Sequence, residues 1–225
     1  MGMNDWVCEK FDWDDSIAYN RGKVLNYEDL EKLESYGRYL DSDNDGICYR
    51  TYPGTHPEKG AYFTRGTSHD EYARYTEDGN VNAETLMRLM RKFRTASELV
   101  PEPLIEINGE DSCGIIFYGS SKPAVLEAKD ILKTKNINVD LMQIRSFPFN
   151  LDVWEFIANH DRIYVVEQNR DSQMRTLIMA EGGISAEVLR PLVHFTGDPI
   201  EAAYIVNKVS EREVNYKSHK NIRER

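Results

Sequence analysis

Between Tyr49 and Asp78 the chain gathers arginine, histidine, threonine and tyrosine around Gly54, Gly60 and Gly66, with almost no aliphatic residues and no apolar period. Arg50 and Arg65 carry guanidinium groups, which recognise carboxylates and phosphates through paired hydrogen bonds. Gly66 beside Arg65 would let a ligand approach the backbone. His69 is followed by Asp70 and Glu71, so an acid–base pair is one expectation there. A hydrogen-bonded structural role explains His56 and His69 equally simply. A loop of this length is usually functional or disordered. Its five tyrosines and one phenylalanine argue against disorder, which is poor in aromatics. The expectation is an ordered loop that presents polar groups to a ligand or partner.

Three further groups have types and spacings suited to chemistry. Gly119, Ser120 and Ser121, followed by Lys122, lie between a strand pattern and a helix pattern. Backbone amides at such a turn can hold a phosphate or carboxylate. A serine cap on the helix explains the same residues, and the balance favours the cap. No GxxxxGK[ST] frame is present, so no P-loop is implied. Glu167, Gln168 and Asn169 close a strand, the usual place for a site in an open α/β sheet, with Asn169 or Asp171 as a helix cap the competing reading. Asp41, Asp43, Asp45 and Gly46 imitate the start of a calcium loop, but its twelfth position is Tyr52 rather than glutamate. A solvated acidic turn fits better than a cation cage.

The elements that must position these groups follow from pattern. Residues 27–37 suggest a short helix ending near Gly37. Residues 82–99 form the most regular helix, with Leu86, Leu89, Met90 and Phe93 as an apolar stripe for packing. Pro101 and Pro103 then mark a boundary. From residue 113 strands and helices alternate: 114–118, 139–144, 163–166 and 189–195 as strands; 123–135, 151–159, 174–180 and 200–209 as helices. Such alternation predicts an α/β fold, a mainly parallel sheet with helices on both faces. It follows a loop-rich N-terminal extension over residues 1–80 and a linking segment over 81–112. Residues 211–225 read as a charged tail.

The net charge of −10 argues against nucleic-acid binding, which needs a basic footprint. No apolar run approaches the roughly 20 residues of a membrane span, and the N-terminus is no signal peptide. Cys8, Cys48 and Cys113 are far apart and form no CxxC, so no metal site is expected from this chain alone. A reducing cytoplasm suits them. Trp6, Phe11 and Trp13 lack an aliphatic partner pattern and must dock on another surface.

Taken together, the runs Tyr49–Pro57, Gly60–Tyr72 and Tyr75–Gly79 resemble the alpha subunit of 2-oxoacid:ferredoxin oxidoreductases, in particular the 2-oxoglutarate type. Met3–Trp6 with Trp13–Asp15, and Val165–Asp171, agree. The resemblance implies that residues 113–210 form a transketolase C-terminal-like domain. It also implies that Arg50, Thr55, Arg65, Thr67 and His69 face a 2-oxo acid, coenzyme A or a subunit interface. The family decarboxylates a 2-oxo acid oxidatively on thiamine diphosphate with magnesium. It passes the acyl group to coenzyme A and electrons through iron–sulfur clusters to ferredoxin. A beta subunit carries the diphosphate motif, and a pyrimidine-binding domain and a gamma-like domain precede the Met3–Trp6 segment in such subunits. Neither has a counterpart here, so the expectation is part of an alpha subunit, inactive and cofactor-free by itself. A free-standing binding module for coenzyme A or another anion is the alternative, and a calcium-responsive adaptor a third reading.

Overall fold

The structure is a computed structural model and describes residues 12–63, 68–109 and 113–223. Arg65, Thr67, Cys8, Trp6 and Phe11 lie outside the described residues. The chain divides into two compact units, with Glu9–Leu99 in one and Val100–Arg225 in the other.

The N-terminal unit holds two helices, α1 (Tyr27–Lys32) and α2 (Gly79–Leu99), and long irregular segments between them. Helix α1 starts at a reciprocal capping box: the Asn26 side chain accepts from Asp29 N–H, and the Asp29 carboxylate accepts from Asn26 N–H. It buries Leu30. Its end is held by Lys59, whose ammonium donates to the carbonyls of Leu30, Glu31 and Leu33. The 82–99 stripe does not pack as expected. No residue of α2 is buried, and Leu86, Met87, Met90 and Phe93 are each more than half exposed. What binds α2 within its unit is polar: Arg91 pairs with Asp41, and Thr95 Oγ1 donates to Asp45 O at 2.6 Å.

The C-terminal unit is the expected α/β fold. Its strands are β1 (Leu104–Glu106), β2 (Cys113–Tyr118), β3 (Val139–Ile144), β4 (Ile163–Glu167) and β5 (Leu189–Val193), in spatial order β1-β3-β2-β4-β5. All neighbours run parallel except the short edge strand β1, which the apolar pattern did not reveal. Between them lie α3 (Lys122–Thr134), α4 (Leu151–Ala158), α5 (Gln173–Gly182) and, last, α6 (Ala202–Arg223). One face of the sheet packs on α3 and α6 through Ile115, Val125, Leu132 and Ile205; the other packs on α4 and α5 through Ile116, Val153, Phe156 and Ile178.

Helix α6 continues to Arg223 instead of stopping before a tail at 211. The cause is polar and was invisible to an apolar period. Glu213 is buried, accepts from Arg162 Nε at 3.1 Å and from the Tyr164 hydroxyl at 2.8 Å, and Arg162 lies 3.9 Å above the Tyr216 ring.

Candidate functional site

Cations converge in the N-terminal unit. Arg21, Lys23, Arg38, Arg50, Arg88 and Lys92 line one open cleft of 470 Å³, and no Asp or Glu is among its lining residues. This is unexpected in a chain of net charge −10. Local geometry builds the cleft. Arg50 exchanges backbone hydrogen bonds with the 23–25 segment (Leu25 N–H to Arg50 O, Arg50 N–H to Lys23 O, both 2.9 Å), which sets its side chain beside Arg21. Gly46 brings the 41–48 loop onto α2. Its φ is +81°, and a Cβ there would stand 2.2 Å from Lys92 N, so a side chain is excluded. Arg88 Nη1 then donates to Gly46 O at 3.2 Å.

The acidic turn is occupied from within. Asp41 accepts from Gly46 N–H and from Arg91, while Lys23 sits between Asp43 (2.6 Å) and Asp45 (2.7 Å). The positions that would ligate a calcium ion therefore hold the chain's own cations. Lys23 holds both aspartates below the usual carboxylate range through hydrogen bonds and its charge. Among the described residues, no group of three or more His, Cys, Asp or Glu could hold a metal ion.

Two of the residues singled out in the sequence, Arg50 and His69, line the cleft. Arg50 Nη2 donates to Arg21 O at 2.6 Å and to the Tyr52 hydroxyl at 3.4 Å. His69 stacks on Tyr39 with ring centroids 3.9 Å apart, and its Nδ1 meets Asp70 O at 3.0 Å. A carbonyl only accepts, so Nδ1 carries the proton and Nε2 is the basic nitrogen. No His69–Asp70 acid–base pair forms: the Asp70 carboxylate accepts from Tyr72 N–H and Arg74 N–H instead. His56 is structural, its Nε2 on Glu31 at 2.6 Å and its Nδ1 accepting from Glu58 and Lys59 N–H. Thr55 is not among the lining residues; its hydroxyl and amide both donate to Tyr52 O, closing a turn through Pro53 and Gly54.

Sequence reasoning missed Arg21, Arg38, Arg88, Lys92 and Cys48. The Cys48 thiol is half-buried; burial and the Asp41 carboxylate push it up, while the charges of Arg88, Arg38 and Lys92 pull the other way. Cys48 lines the same cleft as these cations. Arg88 and Lys92, four apart on a helix, could have been read as neighbours on one face.

In the C-terminal unit the fold brings together the two groups expected at strand ends. β2 and β4 are adjacent, and chain order reverses direction across them, so the turn after β2 faces the turn after β4. Gln168 Nε2 donates to Ser120 Oγ at 3.0 Å and Ser121 Oγ at 3.3 Å. Gly119 takes φ +56° to make that turn. Ser121 precedes α3 in helical backbone and makes no side-chain cap bond, so the favoured serine cap does not form at Ser121. Glu167 is fully buried and accepts from Met174 N–H (2.8 Å), Arg175 N–H (2.9 Å) and Asn169 Nδ2 (2.7 Å). Asn169 Oδ1 accepts from Asp171 and Gln173 N–H. The first amides of α5 are thus taken by the chain's own carboxylate and amide, which occupy the place an external anion would use.

No protein-family model matches the chain. It is 28% identical over 204 residues to 2-oxoacid:ferredoxin oxidoreductase 2, subunit alpha, of Aeropyrum pernix, covering 87% of this chain and 30% of the relative. It is 26% identical over 191 residues to the 2-oxoacid:ferredoxin oxidoreductase subunit alpha of Saccharolobus solfataricus, covering 83% and 29%. Among solved structures, the 2-oxoglutarate:ferredoxin oxidoreductase from Magnetococcus marinus, with 2-oxoglutarate, coenzyme A and succinyl-CoA bound, matches 84% of this chain and 32% of its own at a TM-score of 0.71 and 23% identity, a likeness of fold. Over most of its length, then, the chain is similar to 2-oxoacid:ferredoxin oxidoreductase alpha subunits, as its motifs imply, and it spans about 30% of the length of those relatives.

Proposed function

We propose that this chain is part of the alpha subunit of a 2-oxoacid:ferredoxin oxidoreductase and contributes an anion-binding cleft to it. The complete enzyme would convert a 2-oxo acid, 2-oxoglutarate by the motif reading, to an acyl-CoA while reducing ferredoxin. The chain would act only beside a beta subunit and the pyrimidine-binding and gamma-like domains. The observation that carries the proposal is the cleft itself: six cations and no lining acid, in a chain related to alpha subunits.

Thiamine diphosphate, when bound in the whole complex, supplies the electron sink for decarboxylation. The described residues of this chain do not fit an iron–sulfur cluster: they include two cysteines, Cys48 and Cys113, fewer than the four thiolates that usually hold one. The work left to this chain is binding. Arg50 makes its hydrogen bonds from Nη2, and its Nε and Nη1 hydrogens have no partner among the described residues. Those hydrogens can meet a carboxylate. Arg65 and Thr67 belong to the same proposal on sequence grounds alone. No helix among the described residues is long and apolar enough to cross a membrane, and free thiols at Cys48 and Cys113 suit the cytoplasm.

The test is reconstitution with a beta subunit and the upstream domains, followed by viologen reduction with 2-oxoglutarate and coenzyme A. Activity that needs this chain supports the proposal. Unchanged activity without it overturns it. A second reading, a free-standing anion-binding module, is favoured by one observation: every lining residue of the cleft comes from the N-terminal unit. Failure to join any beta subunit, together with anion binding by the chain alone, would select it.

A further inference from the structure

We propose that α2 carries a self-association surface, and that its occupant is α2 of a second copy of this chain, lying antiparallel across a two-fold axis.

The two sides of α2 differ. Toward its own unit the helix turns Arg88, Arg91 and Thr95, which bond to Gly46 O, Asp41 and Asp45 O, while the Lys92 backbone lies against Gly46. The opposite side presents Gly79, Ala83, Leu86, Met90, Phe93 and Ser97. Leu86, Met90 and Phe93 are each more than half exposed, and so is Met87 beside them. Large apolar side chains clustered on one exposed face mark an interaction surface, because covering them is favourable.

Their spacing gives the shape of the occupant. The six residues recur at intervals of 4, 3, 4, 3 and 4. A stripe that repeats every 3.5 residues is the seam of a helix pair packed knobs into holes, and it is narrower than the face a helix lays on a globular core. The occupant is therefore a helix.

The order of residues along the seam gives its identity. Set Leu86 opposite Met90 of an antiparallel second copy, and Ala83 comes opposite Phe93 and Gly79 opposite Ser97. The large ring meets a methyl group, the two mid-sized chains meet each other, and small residues close the ends. A two-fold axis repeats every layer, so the whole seam is matched by itself. Met87 and Leu89 then meet their own copies beside the axis. Charge selects the same orientation. Arg91, Lys92 and Arg94 lie in the C-terminal half of α2 and Glu84 in its N-terminal half. Antiparallel pairing brings Arg94 beside Glu84 of the second copy and opposes the helix dipoles. Parallel pairing would set the cations against their own copies. The helix also carries four cations and two acids in a chain of net charge −10, so two copies meet where their mutual repulsion is least. Arg88 and Lys92 face the cleft from the other side of the helix, and pairing leaves it open. The inference does not depend on what the cleft binds.

The test is sedimentation equilibrium of the full chain across a wide range of concentration. The expected result is a monomer–dimer equilibrium with a dissociation constant on the order of 10 µM, weak because one helix face is a small interface. Leu86→Glu and Met90→Glu should each weaken it at least about a hundredfold, since each buries a carboxylate twice per dimer. Both positions are exposed in the single chain, so circular dichroism should show the helix intact. Leu99→Glu, at an exposed apolar position off the seam, should leave association unchanged. Glu84→Lys and Arg94→Glu should each weaken it several-fold, and the two exchanges combined in one chain should restore it. A monomer at every concentration gives the face to a different subunit and overturns the proposal. A dimer indifferent to Leu86→Glu and Met90→Glu uses another surface and overturns it equally. If both glutamate variants dissociate the dimer but the double exchange restores nothing, the seam stands and the antiparallel register is wrong.

Discussion

In the C-terminal unit Ile115, Ile116, Val165 and Ile205 are completely buried, on both faces of one sheet; among the described residues of the N-terminal unit, Leu30 and Ala73 are the only buried hydrophobic side chains. The N-terminal unit is held instead by side chain–backbone hydrogen bonds, ion pairs and stacked rings. Lys59 closes α1, Asp41 grips Arg91, and Arg38 and Arg88 share the Tyr39 ring. Burial is non-directional and scales with area, so the C-terminal unit tolerates drift in its surface charges. Polar and cation–π contacts are directional and screened by salt. The contrast lies in what holds each unit together: apolar burial in the C-terminal unit, directional polar and aromatic contacts in the N-terminal one.

The contrast is sharpest at Leu30. Leu30→Ala should cost ~2–5 kcal/mol and, with so little else buried nearby, should abolish hydrogen-exchange protection across the N-terminal unit while β2–β5 stay protected. Equal loss of protection in both units would show that they are not separately stabilised. Next in size is Glu167→Gln. It replaces the carboxylate that receives Met174 and Arg175 N–H by an amide that must turn a donor toward a donor, at a cost of about 2–3 kcal/mol read by chemical denaturation of the C-terminal unit. Gly46→Ala should cost roughly 1–3 kcal/mol, through the positive φ and the contact with Lys92 N, and should loosen exchange protection in α2 alone.

The smallest effect concerns pH. Hydrogen bonds from Lys23 hold Asp43 and Asp45 below the ordinary aspartate value of 3.8 in the folded chain. A depressed folded-state value means that the stabilisation is fully present above the unfolded value and is lost as pH falls through the folded one. Below about pH 4 the N-terminal unit should therefore soften slightly. Lys23→Met should remove that acid dependence from its melting curve without moving the C-terminal unit. An unchanged acid profile in the variant would show that the exposed pair contributes nothing.

How much could be read beforehand follows the same division. β3 was legible to the residue, and the other strands of the C-terminal unit to within one or two residues, except for β1, because buried parallel strands separated by amphipathic helices leave a strong apolar period. The 82–99 helix was legible as a helix, but its partner was not. An apolar stripe reports that a face can be buried, and α2 is bound within its unit by Arg91 and Thr95 on polar positions. In the cleft, Arg50 and His69 could be named from residue type. Arg21, Arg38 and Arg88 could not, since arginines tens of residues apart carry no periodic signal of convergence.

The sequence by itself determined the alternation of elements, the α/β class, the similarity to 2-oxoacid:ferredoxin oxidoreductase alpha subunits and the density of chemically capable residues between Tyr49 and Asp78. These depend on local period and residue identity, which chain order preserves. Tertiary structure alone decided that Gln168 spans to Ser120 and Ser121, that Glu167 and Asn169 fill the start of α5, that Lys23 takes the place of a cation between Asp43 and Asp45, and that the remaining cations line one cleft with Cys48. Each of these depends on which distant segments become neighbours, and non-local contacts are set by packing and by pairwise polar satisfaction, neither of which leaves a mark on sequence spacing.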